Sequence, residues 1–543
     1  MPVVGRAARF GFSSRRREAV AQHVGAFVTT GLLLMLAFPR PGWGVLAYVA
    51  LVPAGVAAAR TRTWGRLFWT SAVVFALWWV WVLRWLSPVS LAAPPGLGVW
   101  LGMNTALGVL AAGVLFQKLR WPMAVALPLG WVGIEAVRSV WPAGGLSWFT
   151  LAHSQAVWAE GDVGRVVQAA DLLGQHTVGL VVAAVNGALI DLLLRRKRAR
   201  VSAAWAGLLF VAAWGYGQWR VSQWQDATTD GPTVAVVQTN VVPDNKVRRT
   251  PEQLVEDFRG LVELHTEAAG GGPTLVVWPE TVVPYAINDA ARATYEDGTV
   301  ANLLAESALA LVAREGVTTL AGASTATYGP GEPQRFNSAH FIGPDGSFAA
   351  EPYHKQHRVP MGEYVPGPGV VEALLERLQV WPGYSLTPGE GPVIYTLPGG
   401  HRVATPICYE DAMAGVCREM VYGPEGKRID ALINLTNDGW YPGLGMRRQH
   451  AALASLRCIE NRVPMARSVN TGLSTFIDSV GRSHAQLPAY TDGTLTRTMR
   501  TDQRTTLYGA VGGWPWALFV LFGAGATVYA AVFGRPLAKH RIG

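Results

Sequence analysis

The spacing of the apolar runs restricts this chain more than any other feature. Seven stretches able to cross a bilayer fall before residue 220, at roughly 20–38, 42–59, 67–87, 94–117, 121–137, 174–194 and 201–219. An eighth covers about 511–533. A helical span needs about 20 apolar residues to cross the hydrocarbon core. Within hydrocarbon every backbone N–H and C=O must be satisfied inside the segment, so these runs are expected as helices. The stretch 139–173 is mixed and reads as a loop with a short helix. Composition agrees: half of the 543 residues are hydrophobic, 15% are charged and 22 are Trp, which is too apolar for an ordinary soluble enzyme. The expected architecture is a multi-span α-helical membrane domain over 1–220, an α/β domain over 221–507, and one transmembrane helix with a short tail over 508–543.

The net charge of +9 is topology information rather than a nucleic-acid footprint. Basic residues gather in short clusters at Arg15–Arg17, Arg60–Arg66, Lys118–Arg120, Arg195–Arg200 and Arg535–Arg541, while the alternate loops hold scattered arginines such as Arg40 and Arg138. All five clusters fall on one side, which the positive-inside rule makes cytoplasmic. The region 221–507 is then expected outside the cytoplasmic (inner) membrane. The arginine-rich start lacks a small-residue cleavage site and is followed by further spans, so the first span is expected to be retained. Trp78, Trp79, Trp81, Trp85, Trp514 and Trp516 lie near span ends, as an interfacial belt or as helix-packing residues. Cys408, Cys417 and Cys458 form no Cys-x-x-Cys pair. Cys417 and Cys458 are expected as buried thiols, with a disulfide as the alternative.

Between residues 221 and 507, short apolar runs without strict alternation read as strands of sheets covered on both faces: Thr233–Gln238, Leu275–Trp278, Thr318–Gly322, Val403–Ile407 and Ala431–Leu435. Pro251–Ala269, Val300–Glu315 and Met446–Arg462 read as helices between them, giving a layered α/β domain.

Three positions in that domain suit acyl chemistry. Glu280 follows a strand-like run, Lys355 sits in a charged, turn-rich stretch, and Cys408 ends another run. A thiol attacks acyl carbon as thiolate, a carboxylate can take its proton, and a lysine can stabilise an oxyanion. Singly, each has a plainer reading: a capping or ion-paired glutamate, a solvated lysine, a packed thiol. His354 and His357 have metal-like spacing but no evident third ligand, and no metal or organic cofactor motif stands out.

The blocks Trp278-Pro279-Glu280, Lys355 with Gly362-Glu363-Tyr364, and Cys408-Tyr409-Glu410 resemble the three catalytic blocks of the nitrilase superfamily. Further stretches resemble its membrane branch, the apolipoprotein N-acyltransferases. They are Val237 to Asn240, Leu435 to Trp440, His450 to Gly472, and Gly145-Leu-Ser-Trp148 to His153-Ser-Gln155. The resemblance implies an α-β-β-α sandwich with Cys408 as nucleophile, Glu280 as general base and Lys355 as oxyanion stabiliser. It also implies Glu363, Tyr409 and Glu410 as supporting residues and Trp278, Trp440 and Asn437 as candidate substrate-binding residues. One departure is Val247 after Lys246, where the family often has an aromatic residue.

The implied reaction moves an acyl group from a phospholipid, phosphatidylethanolamine by family analogy, through a Cys408 thioester to a diacylated apolipoprotein. The implied partners are those two substrates and the bilayer, with no nucleic acid. The enzymatic alternative is a membrane-tethered amidase acting on small amides, and the non-enzymatic one is a receptor or scaffold with a decayed domain. The amphipathic stretch 370–381 is either a gate that dips into the outer leaflet or an ordinary covering helix.

Overall fold

The structure is a computed structural model that describes residues 4–39, 41–156, 161–241, 249–329, 332–367, 369–377, 385–441 and 443–534, with side chains from Arg17 onward. Arg40, the Lys246–Val247 pair, the end of the 370–381 stretch and the Arg535–Arg541 cluster lie outside the described residues. The chain divides into two compact units: Met1–Val157, Gly164–Gln218 and Gly513–Gly543 form one, and Trp158–Val163 with Trp219–Gly512 form the other.

The first unit is helical. Helices occur at all eight expected positions: Val4–Ala37, the broken stretch Gly44–Arg60, Trp64–Val82, Ala93–Lys118, Met123–Arg138, Gln175–Leu193, Ala199–Ser222 and Trp514–Phe533. Among the described residues, five are long and apolar enough to cross a membrane: Arg17–Ala37, Trp64–Val82, Ala93–Lys118, Gln175–Leu193 and Trp514–Phe533. Gly44–Arg60 is shorter because its helix breaks at Leu51. Asn186 satisfies that break from a neighbouring helix, accepting from Leu51 N at 2.9 Å and donating to Ala47 O at 2.8 Å. Asp191 caps the start of Met123–Arg138, accepting from the backbone N–H groups of Met123 and Ala124 at 3.1 and 3.3 Å. The tryptophans divide by environment. Trp81 and Trp514 are exposed, whereas Trp78 and Trp516 donate to Gly31 O and Leu173 O.

The second unit is a two-sheet sandwich. The first sheet runs in the order Gly493–Asp502, Thr228–Gln238, Leu275–Val277, Thr319–Thr327, Gln334–Ile342, Tyr353–His354, with Val283–Ala286 paired to Thr319–Thr327. The second runs Ser483–Gln486, Thr475–Ile477, Met465–Val469, Ala431–Thr436, Arg402–Ala404, Tyr395–Thr396. Each sheet has three parallel strands at its centre and antiparallel strands outside them. Parallel neighbours need crossovers, and here each crossover contains a helix: Pro251–Gly270 and Val300–Glu315 for one sheet, Ala414–Val421 and Leu444–Asn461 for the other. The first two start cleanly. Thr250 and Gln253 form a reciprocal capping box with Pro251 behind it, and Thr299 Oγ1 accepts from Asn302 N.

Strand alternation sorts the first sheet's side chains into two cores. Val234, Val236, Leu275, Val277 and Leu320 pack toward the second sheet, whereas Ala235, Val237, Val276, Trp278 and Ala321 pack under the helices with Leu261 and Leu311. Cys417, Met420, Ala454 and Cys458 cover the second sheet. The layer order is therefore helix, sheet, sheet, helix, as the resemblance implies. Strands at 334–342, 465–469 and 493–502 were not evident in the sequence, and Arg402–Ala404 ends before Ile407, which instead bridges to Leu435.

Candidate active site

The carboxyl ends of the parallel strands in both sheets gather the candidate residues, the usual place for a site in an open α/β sheet. Glu280 follows Leu275–Val277 in a tight turn, and Thr281 beside it has φ 47°. The turn lies directly on Gly322 of the next strand, where any Cβ would meet Pro279 O at 2.2 Å. The backbone therefore comes close enough for Val282 N to donate to Gly322 O at 3.1 Å.

Lys355 follows the edge strand Tyr353–His354, fixed by its N–H to Asn337 O at 2.8 Å. Its side chain is 1% exposed and its ammonium lies 2.8 Å from Glu363 Oε1 and 3.4 Å from Glu280 Oε1. Asn337 Nδ2 joins the same two carboxylates, donating to Glu280 Oε1 at 2.7 Å and Glu363 Oε1 at 3.1 Å. Val359 N donates to the other oxygen of Glu363 at 2.7 Å. Burial opposes the charge on Lys355, but Glu363, Glu280 and Cys408 outweigh it and hold the ammonium well above its ordinary pKa. Burial raises the Glu280 carboxyl above its ordinary value despite Lys355, and a hydrogen bond from the Cys408 thiol partly offsets the rise. Glu280 Oε2 has no nitrogen or oxygen partner among the described residues.

Cys408 opens a 3-10 turn, Cys408–Ala412, at φ 51°, a left-handed conformation that costs a non-glycine residue on the order of 1–3 kcal/mol. Two buried side chains hold it there. Asn434 Nδ2 donates to Pro406 O at 3.0 Å and to Cys408 O at 3.5 Å. Glu410, fully buried, accepts from Ile407 N at 2.7 Å and also from Tyr353 Oη, Gln356 N and His357 N at 2.7–2.9 Å. One carboxylate thus ties the turn bearing Cys408 to the loop bearing Lys355. Burial and Glu280 push the thiol well above its ordinary pKa, against Lys355 and Thr436. The thiol is therefore protonated at rest, and any reaction through its thiolate would need a base. A protonated thiol, a neighbouring carboxyl able to take its proton and a fixed ammonium together could support nucleophilic attack on an acyl carbon.

The remaining sequence candidates divide. Glu363 lies against the Lys355 ammonium, and Glu410 lies between the Cys408 turn and the Lys355 loop. Tyr409 is half-buried and stacks on His357, ring centroids 5.7 Å apart. Trp440 is half-buried in the 3-10 turn Asp438–Trp440. Asn437 is inward-turned, its Oδ1 accepting from Gly439 N and Asn470 Nδ2, each at 3.0 Å. Trp278 is corrected: it is fully buried in the helix-facing core and donates to His265 Nδ1 at 3.0 Å, so it presents no surface to a substrate. His354 Nδ1 pairs with Ser338 Oγ at 2.8 Å. The three cysteines are free thiols, and Cys417 donates to Glu410 O at 3.4 Å.

Sequence reading missed Asn337 and Tyr441. Asn337 is a polar residue in a run of buried strand positions, which is its only local signal. Tyr441 lies close enough for Cys408, Lys355, Glu363 and Glu280 to act on its phenol, which burial above all holds above its ordinary range.

Residues 233–507 match the carbon-nitrogen hydrolase family, and residues 30–188 match the apolipoprotein N-acyltransferase N-terminal domain. The apolipoprotein N-acyltransferase of Gloeobacter violaceus is 30% identical over 556 residues, 98% of this chain and 99% of that protein. Its counterpart in Geobacter metallireducens is 28% identical across 94% of this chain and 95% of that protein. The one in Rhizobium meliloti is 29% identical across 84% and 82%. A solved amidase from Nesterenkonia sp. aligns at 16% identity and a TM-score of 0.37, covering 53% of this chain and 97% of that chain. With both family domains present and full-length similarity on this scale, the chain belongs to the apolipoprotein N-acyltransferases, a membrane branch of the carbon-nitrogen hydrolases.

Proposed function

We propose that this multi-pass acyltransferase moves a fatty acyl group from a membrane phospholipid, through a Cys408 thioester, to the α-amine of the N-terminal diacylglyceryl-cysteine of lipoproteins. The observation that carries the reading is the buried Glu280–Lys355–Cys408 cluster in a chain whose residues 30–188 match the N-acyltransferase membrane domain. That second domain also favours transfer over the tethered-amidase alternative.

In the first step the Cys408 sulfur attacks the ester carbonyl carbon while Glu280 takes the thiol proton. The raised affinity of Glu280 for a proton suits it to this task. Lys355 and the backbone N–H of Tyr409 hold the oxyanion. The ester C–O bond breaks, and the lysophospholipid oxygen leaves with the proton from Glu280. In the second step the lipoprotein amine attacks the thioester carbonyl and Glu280 accepts a proton from nitrogen. The C–S bond breaks, the amide remains, and the proton returns to Cys408.

Both substrates keep their acyl chains in the bilayer, where extracting each methylene would cost about 0.8 kcal/mol, so a membrane-embedded enzyme suits the task. Phosphatidylethanolamine is the proposed donor. The one-sided basic clusters support a site on the extracytoplasmic face of the cytoplasmic membrane.

The test is intact-mass analysis of detergent-purified protein incubated with phosphatidylethanolamine. A fatty-acyl adduct that disappears in Cys408→Ala, and that passes to a diacylated lipopeptide, is the expected result. An adduct that persists in Cys408→Ala, or ammonia release from small amides without any adduct, overturns the reading.

A further inference from the structure

Behind the nucleophile turn lies a buried ionic cluster that the mechanism above does not use. His450, on the helix Leu444–Asn461, reaches between two turns. Its Nδ1 is 2.8 Å from Asp438 Oδ1, and its Nε2 is 2.7 Å from Asp411 Oδ1. The Nδ1 contact is a directed hydrogen bond, whereas the Nε2 contact is a close ion pair. Asp411 belongs to the Cys408–Ala412 turn, and Asp438 opens the turn that ends in Trp440. The three side chains are 4%, 0% and 1% exposed.

Other groups close the cluster from each neighbouring element. Arg467, on the strand Met465–Val469, places Nε 3.1 Å from Asp411 Oδ2 and 3.3 Å from Asn434 Oδ1, the amide that holds the Cys408 carbonyl. Arg447, on the same helix as His450, donates to Asp438 O. Gly472 leaves room for the Asp438 carboxylate, whose Oδ2 would lie 2.4 Å from any Cβ there.

We propose that His450 is a positioning residue for the nucleophile, clamping the Cys408 turn to the Asp438 turn and cancelling the carboxylate field that opposes a Cys408 thiolate. The proposal rests on Cys408 being the nucleophile. Burial disfavours a charged imidazole, but Asp411 and Asp438 outweigh it and raise His450 to about 9. Burial and Glu280 already push the Cys408 thiol up, and Asp438 adds to that push. An imidazolium beside Asp438 limits the addition, so its loss disfavours the thiolate-like transition state.

The experiment is single-turnover acylation of the full-length protein by phosphatidylethanolamine, read as the Cys408 adduct by intact mass across pH 6 to 10.5. The wild type should slow as pH rises through about 9, where His450 loses its proton. His450→Gln should acylate about tenfold more slowly on the plateau and lack that alkaline limb, the tenfold corresponding to about one pKa unit at the thiol. Asp438→Asn in the His450→Gln background should recover part of the loss, because it removes the uncancelled charge. Asp438→Asn alone leaves one carboxylate partner and should move the limb down by about one pH unit. The limb shift tests the idea even if His450→Gln folds poorly. An unchanged limb in both single variants, or a further loss in the double variant, overturns the positioning role. A wild type that forms no adduct on Cys408 overturns the underlying nucleophile assignment instead.

Discussion

Each unit buries a carboxylate next to a cation, but the two pairs are finished differently. In the helical unit Glu135 Oε1 accepts from Trp131 Nε1 and Leu151 N, and Oε2 also faces Leu151 N. Arg138, 3.9 Å away, donates to the carbonyls of Leu146, Trp148 and Phe149. Those bonds hold the 146–151 loop against its helix end, so both charges serve the backbone. In the sandwich, Lys355 is shared by Glu280 and Glu363, and among the described residues Glu280 keeps one oxygen without a nitrogen or oxygen partner next to a thiol. A carboxylate whose lone pairs all meet donors is architecture. One with an unspent lone pair beside a thiol is free for chemistry, because it can still accept a proton.

The sharpest way to break this contrast is to neutralise each pair in turn. Glu280→Gln keeps the shape of the pair but cannot take a proton, and acyl transfer should fall by about 10²–10⁴-fold with the melting temperature nearly unchanged. A loss under tenfold would mean that Glu280 is also architecture. Arg138→Met removes three carbonyl contacts and leaves Glu135 without its cation. Breaking a buried pair from one side costs about 3–5 kcal/mol, so thermal stability should drop sharply while the rate per folded molecule changes less than about threefold.

The third expectation concerns pH. The pKa of His450 is raised by folding from 6.5 to about 9, so its stabilisation is complete below pH 6.5 and is lost as pH rises through 9. A shift of that size corresponds to about 3 kcal/mol, and thermal melting from pH 6 to 10 should show the decline. His450→Gln should flatten it. The smallest effect is expected from Trp278→Phe, which loses one hydrogen bond to His265 at about 1 kcal/mol and should leave kcat and KM alone.

The legibility of the sequence follows the same division. Spans and central parallel strands were readable because burial on both faces, or in lipid, writes continuous apolar runs such as Val234–Val237 and Leu432–Ile433. The strand Gly493–Asp502 escaped because it lies at the sheet edge and is partly exposed, with a polar sequence. Trp278 was misassigned because adjacency to Glu280 in sequence does not mean adjacency in space. Side chains alternate along a strand, and the indole points under the helices. Glu280, Lys355 and Cys408 were singled out through their blocks, but their mutual approach depends on contacts such as Asn337 Nδ2 to Glu280 Oε1, which join residues 57 positions apart along the chain.

Glu410 has a consequence for how the site comes apart. Its single carboxylate receives N–H groups from both the thiol-bearing turn and the lysine-bearing loop. A fluctuation that frees one therefore loosens the other. A molecule caught partly open exposes Cys408 to water and removes the burial that holds its thiol neutral, so the opened thiol forms thiolate more readily and reacts faster with oxidants. Intact assembly thus shields the thiol, and copies that open at this tie are the ones exposed to oxidative loss.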